Sequence, residues 1–144
     1  AQIIFIHRNS FSLAKQQSLI HPCNVQVSTR QLGKYGEDLA TEFLVKQGWE
    51  IIDRNWRMDR VELDIVARDI DTVVFCEVKT RRSNSHGVPA EAVTQSKVNN
   101  IRRAALHWLA CHDLHFPEVR FDVIGVTVPR DEVPIISHIK GIQL

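Results

Sequence analysis

The stretch Val61-Glu-Leu-Asp-Ile-Val-Ala-Arg-Asp-Ile-Asp-Thr-Val-Val-Phe-Cys-Glu-Val-Lys-Thr80 decides how this chain folds. Two runs rich in β-branched and aromatic residues, Val61–Arg68 and Thr72–Thr80, flank Asp69-Ile70-Asp71, which is the composition of a β-hairpin. Side chains alternate between the two faces of a strand. One face of the first run therefore carries Val61, Leu63, Ile65 and Ala67, and the other carries Glu62, Asp64, Val66 and Arg68. In the second run Val74, Cys76, Val78 and Thr80 share one face, and Val73, Phe75, Glu77 and Lys79 the other.

The turn sets the register. If Asp69-Ile70 is a two-residue turn, Glu62 lies opposite Glu77 and Asp64 opposite Phe75. Asp64 and Glu77 are then diagonal neighbours, about 7–8 Å apart at the backbone and within joint reach of one ion. A slip by one residue would send the acids to opposite faces. Asp69-Ile70 lacks the glycine usual in a tight hairpin turn, so a longer loop also fits.

Carboxylates gathered on a half-buried strand face repel one another and are costly to desolvate. A divalent cation resolves that conflict, and Mg²⁺ typically takes one or two carboxylates together with waters and phosphate oxygens. The alternative is a solvated face on which Lys79 and Arg81 pair with Glu62 and Glu77, each pair contributing about 0–1 kcal/mol. The spacing D-x₁₂-E-x-K, set in an apolar strand, favours the metal site.

Outward from the hairpin, a helix is expected over Thr29–Gln47, with Leu32, Tyr35, Leu39, Phe43 and Leu44 on one stripe, Thr29 as N-cap and Gly48 just past the end. Gly33 and Gly36 each weaken that helix by up to ~1 kcal/mol relative to alanine, which points to close backbone approach or a start nearer Lys34. Trp49–Trp56 reads as a strand, Ser96–His112 as a second helix with Val98, Ile101, Ala105, Trp108 and Leu109 inward, Glu118–Val128 as a strand, and Pro134–Lys140 as a short last one. The order αβββαβ implies an α/β domain, a mixed β-sheet flanked by helices. Residues 29–144 form that domain, and residues 1–28, which show no sustained period, are an extension of uncertain order.

The 144 residues, 44% hydrophobic and 24% charged, suit one domain with one core. A formal charge of +1 argues against wrapping long duplex, so nucleic-acid contact must come from a local patch. Arg54, Arg57 and Arg60 precede the acidic strand, Arg81 and Arg82 follow Lys79, and Lys97, Arg102 and Arg103 lie on the second helix. If they converge, Arg57, Arg81, Lys97 and Arg102 form a phosphate-binding rim. Trp56 fits the core better than a base-stacking role, and His86 and Asn84 fall in a loop beside the site. Cys23, Cys76 and Cys111 form no C-x-x-C pair; Cys76 and Cys111 read as small buried hydrophobes. With no disulfide framework, no membrane span and no signal-like start, a cytoplasmic protein is expected. The seven histidines lack zinc spacing.

Asp64…Glu77-Val78-Lys79 resembles the motif of the PD-(D/E)xK nuclease superfamily, which has a restriction-endonuclease-like fold. Gly33-Lys-Tyr-Gly-Glu-Asp-Leu-Ala40, Arg54-Asn-Trp-Arg57, Glu62-Leu-Asp-Ile65, Phe75-Cys-Glu-Val-Lys-Thr-Arg81 and Arg120-Phe-Asp-Val123 together look like the bacterial YraN (UPF0102) family, similar in fold to archaeal Holliday-junction resolvases. The likeness covers about residues 30–144. Two departures stand out: Val61 replaces the glycine usual before the Glu-x-Asp block, and Ile70 replaces the turn glycine common after the Asp64 strand.

The resemblance implies a Mg²⁺- or Mn²⁺-dependent endonuclease acting on DNA, branched DNA included. Asp64 and Glu77 would ligate the metal with the backbone carbonyl of Val78. Lys79 would position or deprotonate the attacking water and offset phosphate charge. Glu37 would hold a water on the metal, or simply sit favourably at a helix start. Glu62 would support the ligands from behind or pair with a base, and Asp122 would be a structural acid paired with Arg120 or a nearby base. A nucleic-acid-binding module that does not cleave is the alternative, and a homodimer would suit a junction-resolving enzyme.

Overall fold

A computed structural model describes residues 3–5, 28–82, 94–112, 114–130 and 132–142. Among them the order is β1 (Ile3–Phe5), α1 (Thr29–Lys46), β2 (Glu50–Met58), β3 (Val61–Asp69), β4 (Thr72–Arg81), α2 (Gln95–Cys111), β5 (Glu118–Thr127) and β6 (Ile135–Ile139). The strands lie in the order β1-β6-β5-β4-β3-β2. β4 and β5 run parallel over ten residue pairs, joined through α2, while the other neighbours are antiparallel. This is the expected α/β architecture. Three residues of the N-terminal stretch, Ile3–Phe5, add a strand beside β6.

The helices cover opposite faces. Leu39, Ala40, Phe43 and Leu44 of α1 pack with Trp49, Ile65, Ala67, Val74, Cys76, Ile124 and Val126. Ile101, Ala104, Ala105 and Trp108 of α2 pack with Leu63, Val66, Val73 and Phe75. Trp108 is wholly buried, meets Phe75 edge-on at 5.6 Å, and donates its indole N–H to Asp53 Oδ2 at 3.1 Å. Burying a side chain of that size contributes about 1.5–3 kcal/mol. β4, covered on both faces and both edges, shows an unbroken buried run from Val73 to Glu77.

Local chemistry explains the element ends. Ser28, one residue before the expected Thr29, is the α1 N-cap: its hydroxyl accepts the Gln31 N–H, and the Gln31 side chain accepts the Ser28 N–H. A serine followed three residues later by glutamine completes the reciprocal cap, which Thr29 cannot do. Gly48, at φ 85°, ends the helix as expected. Gly36 lies against Thr80, where any Cβ would meet the threonine side chain, whereas Gly33 faces open space. Tyr35 is exposed rather than part of the inward stripe, and Cys111 is exposed rather than buried.

The hairpin differs from expectation in two ways. The turn is Ile70-Asp71, so Asp69 pairs with Thr72 and Val66 with Phe75. The pairing is thus shifted by two residues, and a two-residue shift keeps each residue on its face. Ile70, φ 59°, occupies the position that favours glycine. The second difference is in alternation. Val61, Leu63 and Val66 all pack on the α2 side, while Ile65 and Ala67 pack on the α1 side. The faces therefore change over between Leu63 and Ile65, at the point where the β3–β4 ladder ends with Ile65 opposite Cys76.

On the α1 side, Asp122 of β5 accepts hydrogen bonds from Arg120 Nε (3.0 Å) and the Gly141 N–H (2.9 Å), and contacts His138 Nε2 at 2.8 Å. Burial alone would raise this carboxyl, but those three contacts outweigh it and hold it below the usual range. Asp122 is thus a structural acid, tying the segment after β6 back onto β5.

Candidate functional site

The end of the β3–β4 ladder is where the site residues meet. One step past Ile65 and Cys76, the next positions are Asp64 and Glu77. Asp64 Oδ2 accepts the Val78 backbone N–H at 2.7 Å, which ties this carboxylate of β3 to β4. Burial, followed by the negative charge of Glu77, pushes the Asp64 carboxyl up to about 7, with Glu37 adding to the rise and the Val78 hydrogen bond opposing it. Among the described residues Asp64 forms that one hydrogen bond and no ion pair.

Glu77 is buried, with 5% of its side chain exposed. Its Oε1 is contacted by two ammonium groups, Lys79 at 2.5 Å and Lys97 at 2.8 Å. The salt-bridge alternative is therefore partly present: Lys79 does pair with Glu77. Glu62 instead pairs with Arg57 at 3.1 Å, an exposed contact on β2 and β3.

Glu37 comes near from α1, close enough for its charge to act on Asp64. Gly36, the residue before it, lets α1 lie against Thr80 and so sets this approach. Glu37 Oε2 accepts a hydrogen bond from Asn55 Nδ2 at 2.8 Å, and Asn55 holds φ 53° inside β2. Asparagine tolerates that left-handed backbone better than most residues. Asn55 carries no role that its sequence position alone suggests. The available signal was an asparagine between Arg54 and Trp56 in an otherwise strand-like run. Arg54, a candidate for phosphate contact, is bound to Asp38 of α1 at 2.6 Å.

The structure thus brings together Asp64, Glu77, Val78, Lys79, Lys97 and Glu37. Arg57 is 71% exposed and paired with Glu62, Arg81 lies at the end of β4, and Arg102 is exposed on α2. Trp56 packs with the α2-side core, beside His107 at 5.7 Å. The burial of Cys76, as expected, pushes its thiol well up. His86, Asn84 and Cys23 lie outside the described residues.

Of these groups, Asp64 and Glu77 supply the carboxylate oxygens that could hold a divalent cation. Carboxylate oxygens are its preferred donors, and the buried Asp64 carboxylate has a single neutral donor beside a second acid. Among the described residues no three histidine, cysteine, aspartate or glutamate side chains are grouped to hold a metal. An ion here would keep waters or take phosphate oxygens, as Mg²⁺ commonly does. No helix among the described residues is long and apolar enough to cross a membrane.

Comparison with known proteins covers the same region. The model of the Uncharacterised protein family UPF0102 matches residues 36–126. A UPF0102 protein of Nocardia farcinica is 50% identical over 111 residues, covering 77% of this chain and 87% of the relative. One from Beutenbergia cavernae is 48% identical over 111 residues, 77% of this chain and 94% of the relative. Another from Streptomyces griseus is 49% identical over 113 residues, 78% of this chain and 95% of the relative. The family match runs from Gly36, within α1, through most of β5 and takes in every residue at the end of the β3–β4 ladder, so the chain belongs to the UPF0102 family.

Proposed function

We propose that this protein is a divalent-metal-dependent endonuclease that hydrolyses nucleic-acid phosphodiesters, with DNA, branched DNA included, as its substrate. The observation that carries this reading is the meeting of Asp64, Glu77 and Lys79 where β3 leaves β4.

Asp64, Glu77 and the Val78 backbone carbonyl would hold Mg²⁺ or Mn²⁺. When bound, the cation would supply a polarised water and a positive charge for the scissile phosphate. The chain's own groups do the rest. In hydrolysis the oxygen of water attacks phosphorus in line with the leaving oxygen, and that P–O bond breaks as the new one forms. The anionic transition state requires fixed positive charge. Lys79, 26% exposed and anchored on Glu77, is the ammonium nearest the acids. It would offset phosphate charge and orient the attacking water, while the proton that water loses passes to solvent and the departing oxygen takes one up from solvent. Glu37, held by Asn55, would accept a hydrogen bond from a water on the α1 side. Arg57, Arg81, Lys97 and Arg102 would contact neighbouring phosphates. An exposed pair such as Arg57–Glu62 is weak enough to yield to one. This work fits a cytoplasmic protein, and a homodimer would suit a four-way junction.

The test is cleavage of duplex, single-stranded and four-way-junction DNA with Mg²⁺ or Mn²⁺. Products should require the metal and vanish in Glu77→Ala and Lys79→Ala. Equal cleavage by wild type and Glu77→Ala would exclude this site as the catalyst. One observation favours a second reading, a nucleic-acid-binding module without cleavage: both lysines are engaged on Glu77. That protein would retard DNA in a gel, more weakly as salt rises, and yield no products with any metal.

A further inference from the structure

Lys97 stands at an unfavourable place for a cation. Thr94 caps α2 and accepts the Lys97 N–H at 3.4 Å, so Lys97 belongs to the first helical turn. The positive end of the helix dipole disfavours a cation there, and that turn contains no acidic residue. Its partner lies in another element: Lys97 Nζ is 2.8 Å from Glu77 Oε1, the oxygen already bonded to Lys79. Partial burial works against its charge. The hydrogen bond and charge of Glu77, together with the charge of Asp64, outweigh that burial and raise its pKa. Lys97 is the more exposed of the two lysines, at 44% against 26%, and it arrives on a helix, whereas Lys79 shares β4 with Glu77. The two ammonium groups thus share a single carboxylate oxygen. Of the two, Lys97 is free to swing away on its four-carbon stem.

We propose that Lys97 is a resident counter-ion: its ammonium holds Glu77 while no divalent cation is bound, gives way to that cation, and then engages a substrate phosphate. This extends the proposed function and rests on Asp64 and Glu77 being the cation's ligands. Two cations cannot occupy the same carboxylate oxygen at full strength, so the Lys97 bridge competes with metal loading. The displaced lysine remains within reach of the phosphate that completes the metal's coordination. Metal and phosphate binding then reinforce each other, since each favours the position of Lys97 that the other needs.

The experiment is a Mn²⁺ titration of the full chain by calorimetry at fixed ionic strength without nucleic acid. It compares wild type, Lys97→Met, Lys97→Gln and Lys97→Arg, with Glu77→Ala assigning the heat to this site. Met and Gln keep a long side chain without its charge, and circular dichroism checks that each variant is folded. Lys97→Met and Lys97→Gln should bind Mn²⁺ about tenfold more tightly than wild type, and Lys97→Arg within about twofold of it. Adding inorganic phosphate should tighten Mn²⁺ binding in wild type and have little effect in Lys97→Met. Glu77-dependent binding that is unchanged or weaker in both neutral variants overturns the role of Lys97 and leaves the metal site standing. No Glu77-dependent binding in any protein overturns both.

Discussion

Replacing Gly36 by alanine tests how α1 is seated over the site. An added Cβ would lie 1.9 Å from Thr80 Oγ1, 2.6 Å from its Cγ2 and 2.8 Å from its Cβ. Rotating the Thr80 side chain relieves the first two contacts but not the third. Reaching ordinary van der Waals separation then requires α1 to retreat from β4 by about 0.6 Å. Helix α1 cannot move alone, because Leu39, Ala40, Phe43 and Leu44 are buried in the same core. Overpacking of this kind costs about 1–3 kcal/mol, and the better helix propensity of alanine returns up to ~1 kcal/mol. A net loss of about 1–2 kcal/mol is expected, which for a domain of this size lowers Tm by roughly 3–10 °C. Urea and thermal unfolding measure it, and Thr80→Gly supplies the control by removing all three contacting atoms. In that background Gly36→Ala should be neutral or slightly stabilising, so the two changes couple strongly. Gly36→Ala as stable as wild type, or equally harmful with and without the Thr80 side chain, would refute the close approach.

Other expectations concern the acids and the turn. The Asp64 carboxyl, about 7 when folded and near 3.9 when unfolded, binds its proton more tightly in the folded chain. Its contribution to stability is therefore full below about pH 4 and is lost as pH rises toward 7, on the order of 2–4 kcal/mol without metal. Asp64→Asn should gain stability relative to wild type between pH 4.5 and 8 in chelator-treated buffer, and a pH-independent difference would contradict the assignment. Ile70→Gly should raise the urea midpoint, stabilising by about 0.5–1 kcal/mol, because Ile70 is 84% exposed and strained at φ 59°. A lower midpoint would show that the isoleucine makes contacts that matter more than its backbone strain.

Much of the fold was legible because local patterns and tertiary packing agree. The α1 stripe of Leu39, Phe43 and Leu44, the hairpin runs and the α2 stripe each match one buried face. Ends were less legible, since Ser28 and Thr29 are both good caps and only the reach of Gln31 selects between them. The turn was misplaced because the composition of Asp69-Ile70-Asp71 leaves its centre open. The predicted common face of Glu62 and Asp64 with Val66 failed for a different reason: strict alternation presumes a regular strand, and β3 changes faces as it leaves β4. In the site, Asp64, Glu77 and Lys79 were visible as a spaced triplet. Asn55 was not, because its role depends on a left-handed backbone and a carboxylate 18 positions earlier in the chain.

The sequence by itself determined the element types from α1 onward, their αβββαβ order and the residue set D-x₁₂-E-x-K, because propensity, periodicity and spacing are properties of neighbours along the chain. Tertiary structure decided which groups share an electrostatic environment. It ended the β3–β4 ladder beside Asp64, laid α1 against Thr80 through Gly36, and moved Lys97 from an expected outer rim onto Glu77. Coulombic and desolvation energies depend on distance and burial in space, and neither can be read from separation along the chain.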